Sequence, residues 1–502
     1  MSRHPFVPLL VVGLTAACIV EDSDGPGPQG EMGAPGAMGA MGAMGENGMP
    51  GDDGFSSLVI TRTEGNCVVI ETGLDTNRNG QLDASELTAG TSSTLCESVP
   101  AEVTALSQRI DSLEGAVIST PAVITVRGGV STSTSTFPNL DGVLSFLSSR
   151  RLGGQGLLTI QVERGRYMFS EPLTFDHPDG GRILIIGDEA DPGTVDLIFQ
   201  QSNGLEVQGG ATLARFSGFE LGYQGAASEA RGIVVTQHSE LGLGAVIVSD
   251  FPGVGILVER QSAVTPVDRQ VSSGEPTLPA VVACPGAACG GVGVRVTERS
   301  LAEFVNTRTP DVGLNVTGFG SDGVEVSRQS TMVADFLRSA NHGGRGILVD
   351  SMSMIIADDA TVASNVGDAV FVQHNGTARL HRLEVTGSGV AVAVEVRNAA
   401  YAYISACSLD ATDIGIRAGE NSTVIADGCE IDADEDGVLA IDRAYVDIRS
   451  VTVGATSAPM RGVTARTGAY INADGSTVNG SNATFTPDVN TPGSAHQFIH
   501  WL

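Results

Sequence analysis

The chain is 502 residues long and carries 28 basic against 58 acidic residues, a net charge of −30, with 65 glycines and only 5% aromatics. That length exceeds one ordinary globular core and calls for several segments or one elongated solenoid, and the wealth of small and β-branched residues argues against a helical bundle. The charge opposes a basic face for nucleic acid or anionic lipid, and it leaves cations or neutral polymers as partners.

Residues 1–17 have the form of an export signal: Arg3, the apolar run "FVPLLVVGL", then "TAAC" ending at Cys18. The small residues before Cys18 resemble a bacterial lipobox, with Thr15 standing where leucine is usual. The resemblance implies a lipoprotein of the bacterial cell envelope, at the outer-membrane surface or secreted, attached to the membrane only through lipid on Cys18. Ordinary cleavage that leaves a free thiol is the alternative. No later run is long enough to cross a bilayer. The seven cysteines agree with lipidation, because without Cys18 the other six fall into local pairs: Cys67 with Cys96, Cys284 with Cys289, Cys407 with Cys429. An oxidising compartment follows.

After a linker over 18–26, glycine stands at every third position from Gly27 to Gly54, ten in register. Only glycine fits near the axis of three wound polyproline-like chains, so residues 27–54 read as a collagen-like stalk, or else as a Gly-rich tether. Extended at about 3.1 Å per residue, the tract reaches about 85 Å.

Residues 55–98 form a small module bracketed by Cys67 and Cys96. In "LDTNRNGQLDASE" the ligand positions of an EF-hand loop are held by Asp75, Asn77, Asn79, the Gln81 carbonyl, Asp83 and Glu86, with Gly80 at the sharp turn. Calcium is the cofactor this spacing implies. The flanks lack helical periodicity, so the paired helices of a sensor are missing and the loop reads as a structural clip of about 10⁻⁴ to 10⁻³ M affinity. Such modules resemble the cysteine-bracketed domains found beside collagen-like tracts in secreted bacterial proteins. In residues 99–118, Val103, Leu106, Ile110, Leu113 and Val117 fall at steps of three and four. That spacing fits a short coiled-coil neck holding three chains together as a homotrimer, or a single helix capping the next domain.

Residues 119–502 carry a degenerate repeat. Strand starts at Gly323, Gly346, Ala369, Ala393, Gly415, Gly437 and Gly462 recur about every 23 residues, as do Gly232 and Gly255. Units of two or three short strands cannot bury their own apolar face, but stacking them does, and the handedness of parallel crossovers makes the winding right-handed. The expected class is therefore all-β, a right-handed parallel β-helix. It resembles the pectin-lyase-like superfamily in architecture over residues 155–480, with no catalytic motif attached. "FPNLDGVLSFLSSRRL" puts Leu140, Val143, Leu144 and Leu147 on one face of a capping helix, and "HQFIHWL" with Trp501 reads as the far cap.

Register places Cys407 and Cys429 at the same point of neighbouring coils, inside the core, with their bonding left open. Cys284 and Cys289 close a small loop. The best carboxylate pair is Asp410 above Asp432, with Asp413, Asp434, Glu435, Asp436 and Arg417 nearby. It reads either as a solvated turn or as the acid/base or calcium site of a polysaccharide-cleaving enzyme. His342, His374 and His381 share no coil position and read as isolated surface or turn residues. Function is thus expected to be a surface-anchored structural or adhesive rod with a polysaccharide or other cell-surface ligand. The alternative is an extracellular polysaccharide lyase or glycoside hydrolase.

Overall fold

The computed structural model describes residues 56–64, 67–77, 79–87, 92–96, 116–129, 132–267, 280–284, 289–305, 313–387, 389–411, 413–454, 459–479 and 498–500. The expected signal, Cys18, the linker, the stalk, most of the neck and Trp501 lie outside these residues. The chain divides into a unit over Met1–Glu102 and a unit over Val103–Leu502.

In the first unit, Ser56–Glu64 and Cys67–Asp75 form an antiparallel hairpin, and Ser93–Cys96 adds a third strand. The acidic loop that begins at Asp75 leaves the end of the second strand. Cys67 and Cys96 are backbone partners across the second and third strands.

The second unit is a pile of coils, each crossing three parallel sheets in turn. Sheet I, from Leu173–Phe175 to Arg461–Ala465, has twelve strands among the described residues. Sheet II has sixteen among the described residues and sheet III thirteen. Every predicted strand start lies at or beside the beginning of a sheet I strand, as in Ile347–Val349, Val370–Val372 and Val392–Val396. The sequence repeat fades between Gly255 and Gly323 because successive sheet I strands start further apart there, at Val254, Val292 and Val324.

Alternation in each strand sends one set of side chains into a continuous interior, where Val, Ile, Leu, Ala and Phe stack on their own kind one coil away. The helix Leu140–Ser148 sits on the first coils with Leu140, Val143 and Leu147 buried, as expected. Val117, assigned above to the helical neck, belongs to the strand Val117–Ser119, which pairs with Arg151–Gly153. The far end also differs from its expected cap: Phe498–His500 continues sheet II beside Tyr470–Asn472.

The corner from sheet I to sheet II uses two successive left-handed residues per coil, among them Arg260–Gln261, Glu298–Arg299, Arg328–Gln329 and Ser351–Met352. Each non-glycine residue held there costs roughly 1–2 kcal/mol. The cost is offset by hydrogen bonds running up the pile, such as Gln261 N to Glu298 O at 3.0 Å and Gln329 N to Ser351 O at 2.9 Å. Just inside this corner Ser239, Ser262, Ser300, Ser330 and Ser353 form a buried ladder in which each hydroxyl accepts from an amide of the preceding coil.

Both cysteine pairs of this unit are disulfides. Cys284 is bonded to Cys289 at the corner from sheet III to sheet I, and Cys407 is bonded to Cys429 in the interior, between Leu383 and Val451.

Candidate functional site

In sheet II strands such as Thr377–His381, Tyr401–Ser405 and Thr423–Asp427 the first, third and fifth residues face outward, and backbone pairing lines these positions up along the pile, where Asp447 alone of those named below is closed off from water. The first positions run Thr377, Tyr401, Thr423, Tyr445, Tyr470 and the third run Ile356, Arg379, Tyr403, Ile425, Asp447. Four of the chain's six tyrosines therefore stand on one outer face. The other two, Tyr167 and Tyr223, are buried. Tyr445 and Tyr470 stack with ring centroids 5.4 Å apart and planes within 2°.

One coil below Tyr401 and Tyr403 this face opens into a hollow of about 360 Å³ lined by Ile356, Asp358, Arg379, His381, Tyr401 and Tyr403. Arg379 is exposed in it and makes no ion pair with any described residue. His381 lies with Nδ1 2.9 Å from the Ser405 hydroxyl. On the rim, burial and then the nearby Asp358 and Asp359 charges raise Asp335 above its ordinary range. Arg382 bonds Asp359 at 2.6 Å, neutralising one of these carboxylates. Tyrosine rings present apolar surface with a hydroxyl at the tip, and a guanidinium offers a planar fork of donors; together they suit a ligand with C–H faces and many oxygens.

The predicted pair Asp410 and Asp432 is in register on sheet III, as backbone partners in Ser408–Ala411 and Glu430–Ala433. Asp410, Asp413, Asp434 and Glu435 lie toward the outside, whereas Asp436 turns onto sheet I, 1% exposed, where Arg461 at 2.6 Å and the Thr464 hydroxyl at 2.7 Å donate to it. Arg417 also belongs to sheet I and lies 3.7 Å from Glu395.

In the small unit, the loop residues fold in on themselves. The amides of Asn79 and Gly80 donate to Asp75, while Thr76 and Asn77 donate to Glu86 Oε1. The Thr76 hydroxyl foremost, and the amide of Asp83 next, hold Glu86 below the usual carboxylate range. Asn77 and Asn79 both donate to Asp83 Oδ2, and Gln81 donates its amide to Asn79. The donors are all oxygens on one closed loop, which fits a hard cation. No cluster of three or more His, Cys, Asp or Glu in metal-holding geometry occurs among the described residues.

His342 departs from its expected surface position. It is 1% exposed, stacked near Phe319, with Nε2 3.1 Å from the Ser339 hydroxyl and Nδ1 accepting from the Phe319 amide. Burial pushes its imidazole down to about 4. His374 is exposed and lies 2.7 Å from Asp350, in keeping with its expected place.

No repeat position flags one further perturbed carboxyl. Burial, and then Glu395, 27 positions along the chain, raise Asp368 to about 7.

Residues 345–493 match the family described as "Right handed beta helix region". The large domain is a right-handed β-helix. Among solved structures, the chain is similar to the periplasmic alginate epimerase AlgG, at 9% identity and a TM-score of 0.31, covering 69% of this chain and 77% of that one. It is also similar to the Agl-KA catalytic domain, at 11% identity and a TM-score of 0.31, covering 68% of this chain and 63% of that one. No curated protein matches the chain.

Proposed function

We propose that the chain is a surface-displayed rod that binds a polysaccharide along the outer face of sheet II. The observation that carries this reading is the gathering of four outward tyrosines on one face, two of them lining the hollow around Arg379, which has no ion pair among the described residues. Sugars present apolar ring faces and hydroxyl edges, which tyrosine and arginine side chains meet together. The glycine-repeat stalk and the Cys18 anchor would hold the rod away from the membrane, with the neck joining three copies. The loop at Asp75, Asn77, Asn79, Gln81, Asp83 and Glu86 would take calcium as a structural clip of the small unit.

The test is titration of the purified chain against a panel of neutral and acidic polysaccharides. Binding is expected for at least one, weakened at least tenfold in Tyr403→Ala and Arg379→Ala, with unchanged thermal unfolding. Binding that survives both substitutions at full strength refutes the reading.

A second reading, glycosidic bond cleavage, is favoured by the register of Asp410 and Asp432. Parallel strands stand about 4.8 Å apart, near the roughly 5–5.5 Å between the two carboxyls of retaining glycosidases. Release of reducing or unsaturated ends from the same panel, lost in Asp410→Asn and Asp432→Asn, would establish it.

A further inference from the structure

The small unit is covered on one side only. Its loop folds back over the sheet face that carries Leu58, Ile60 and Gly73, so closely that a Cβ at Gly73 would stand 2.2 Å from the Glu86 carbonyl and 2.5 Å from the Leu82 side chain. The hairpin strands hold four charged residues, Arg62, Glu64, Glu71 and Asp75, and strand alternation puts all four on this same face, where Arg62 bonds Glu71 at 2.9 Å. Among the described residues of the unit, Val69 is nevertheless the only apolar side chain closed off from water. A domain of this size with so little core needs staples or partners to hold together.

The opposite face consists of three successive cross-strand pairs: Ser57 with Leu74, Val59 with Thr72, and Thr61 with Ile70. None of the six is charged. Val59 is 63% exposed and Leu74 45%. A sheet face that meets water normally takes the polar and charged residues, and here the distribution is reversed, with the charges under the loop and the aliphatic side chains in the open. Loss of charge around exposed aliphatic residues is the composition of the centre of a subunit interface.

What covers the face follows from what precedes it in the chain. The glycine period ends at Gly54, two residues before the strand Ser56–Glu64, and chains wound three to an axis must leave that axis together. Three hairpins then start side by side, and closed three-fold symmetry turns the same face of each toward the centre. The loop already occupies the charged face, so the uncharged one is free to turn inward.

We propose that three copies of the small unit pack their uncharged faces against one another around a shared core of Val59, Ile70 and Leu74. The inference rests on residues 27–54 being a triple-helical stalk, and it is independent of the sugar-binding face of sheet II.

Sedimentation and cross-linking of the full chain test it together, with particles of three chains expected. In a Cys18→Ser chain, which lacks the one cysteine outside the three local pairs, Val59→Cys sets a thiol near the axis. A short bis-maleimide should then join two chains and move most of the protein to twice the chain mass on a denaturing gel. Glu64→Cys, on the opposite face, should give at least tenfold less of that band. Leu74→Arg added to Val59→Cys puts a cation into the shared core and should lower the yield at least fivefold. Particles of three chains without a cross-link at Val59, or with equal cross-linking at Glu64, overturn the interface and leave the stalk standing. Particles of any other mass overturn both.

Discussion

The amide of Ser300 donates to the hydroxyl of Ser330 one coil further on, 3.1 Å away, with both side chains closed off from water. The left-handed corner leaves this amide without a carbonyl partner, and the serine ladder supplies the acceptor. Ser330→Ala removes that acceptor and strands a buried donor, which costs about 1–3 kcal/mol. Urea unfolding should show that loss, while Ser135→Ala, at an exposed position, should leave the midpoint in place.

His342 gives the rod an acid limit. Its imidazole is held at about 4 by burial, against 6.5 when exposed. The unfolded chain therefore takes up a proton first as pH falls, and stability declines from about pH 6.5 down to about 4 before levelling off. The full effect is about 3 kcal/mol. His342→Asn copies the residue at the same point of the next coil, Asn365, which accepts from the His342 amide at 3.0 Å. The variant should flatten this slope in denaturation measured between pH 4 and 7.

Gly437 has no room for a side chain. A Cβ there would stand 2.2 Å from Val453 Cγ1 and 2.7 Å from the Gly462 carbonyl. Gly437→Ala must push sheet III away from sheet I, and overpacking of this kind costs about 1–3 kcal/mol. Differential scanning calorimetry should record a lower midpoint, with Gly428→Ala milder because a Cβ at Gly428 meets no atom within 4 Å despite its φ of +61°.

Calcium should stabilise the small unit. With a dissociation constant of about 10⁻⁴ to 10⁻³ M, 10 mM calcium contributes about 1.4–2.7 kcal/mol. The expected result is a rise in the thermal midpoint of that unit, reversed by chelation and absent in Glu86→Gln. An unchanged midpoint in the wild-type chain would leave the loop an ordinary acidic turn.

The sheets are legible in the primary structure because one of them begins with a small residue followed by alternating valines. Gly346, Gly415 and Gly437 recur with the coil, since a Cβ there collides with sheet III. The same counting puts Cys407 with Cys429, and Asp410 above Asp432. The hollow is not legible: outward positions such as Arg379 and Tyr403 are free of the packing that fixes the interior, so no period marks them. The serines of "HSEL", "QSAV", "RSLA", "QSTM" and "MSMI" do mark their ladder, and it emerges once the coils are aligned by strand start. His342 is misread from sequence because a polar residue beside "GG" resembles a turn, and only the neighbouring coils show that its ring points inward.

In a filament where each layer rests only on its neighbours, melting starts at a free tip and runs inward. The bond from Cys407 to Cys429 ties one layer to the next by covalent linkage. Fraying that reaches this layer from the coils after Val453 meets a closed hoop, and the segment before it, which carries the tyrosine hollow, is sheltered.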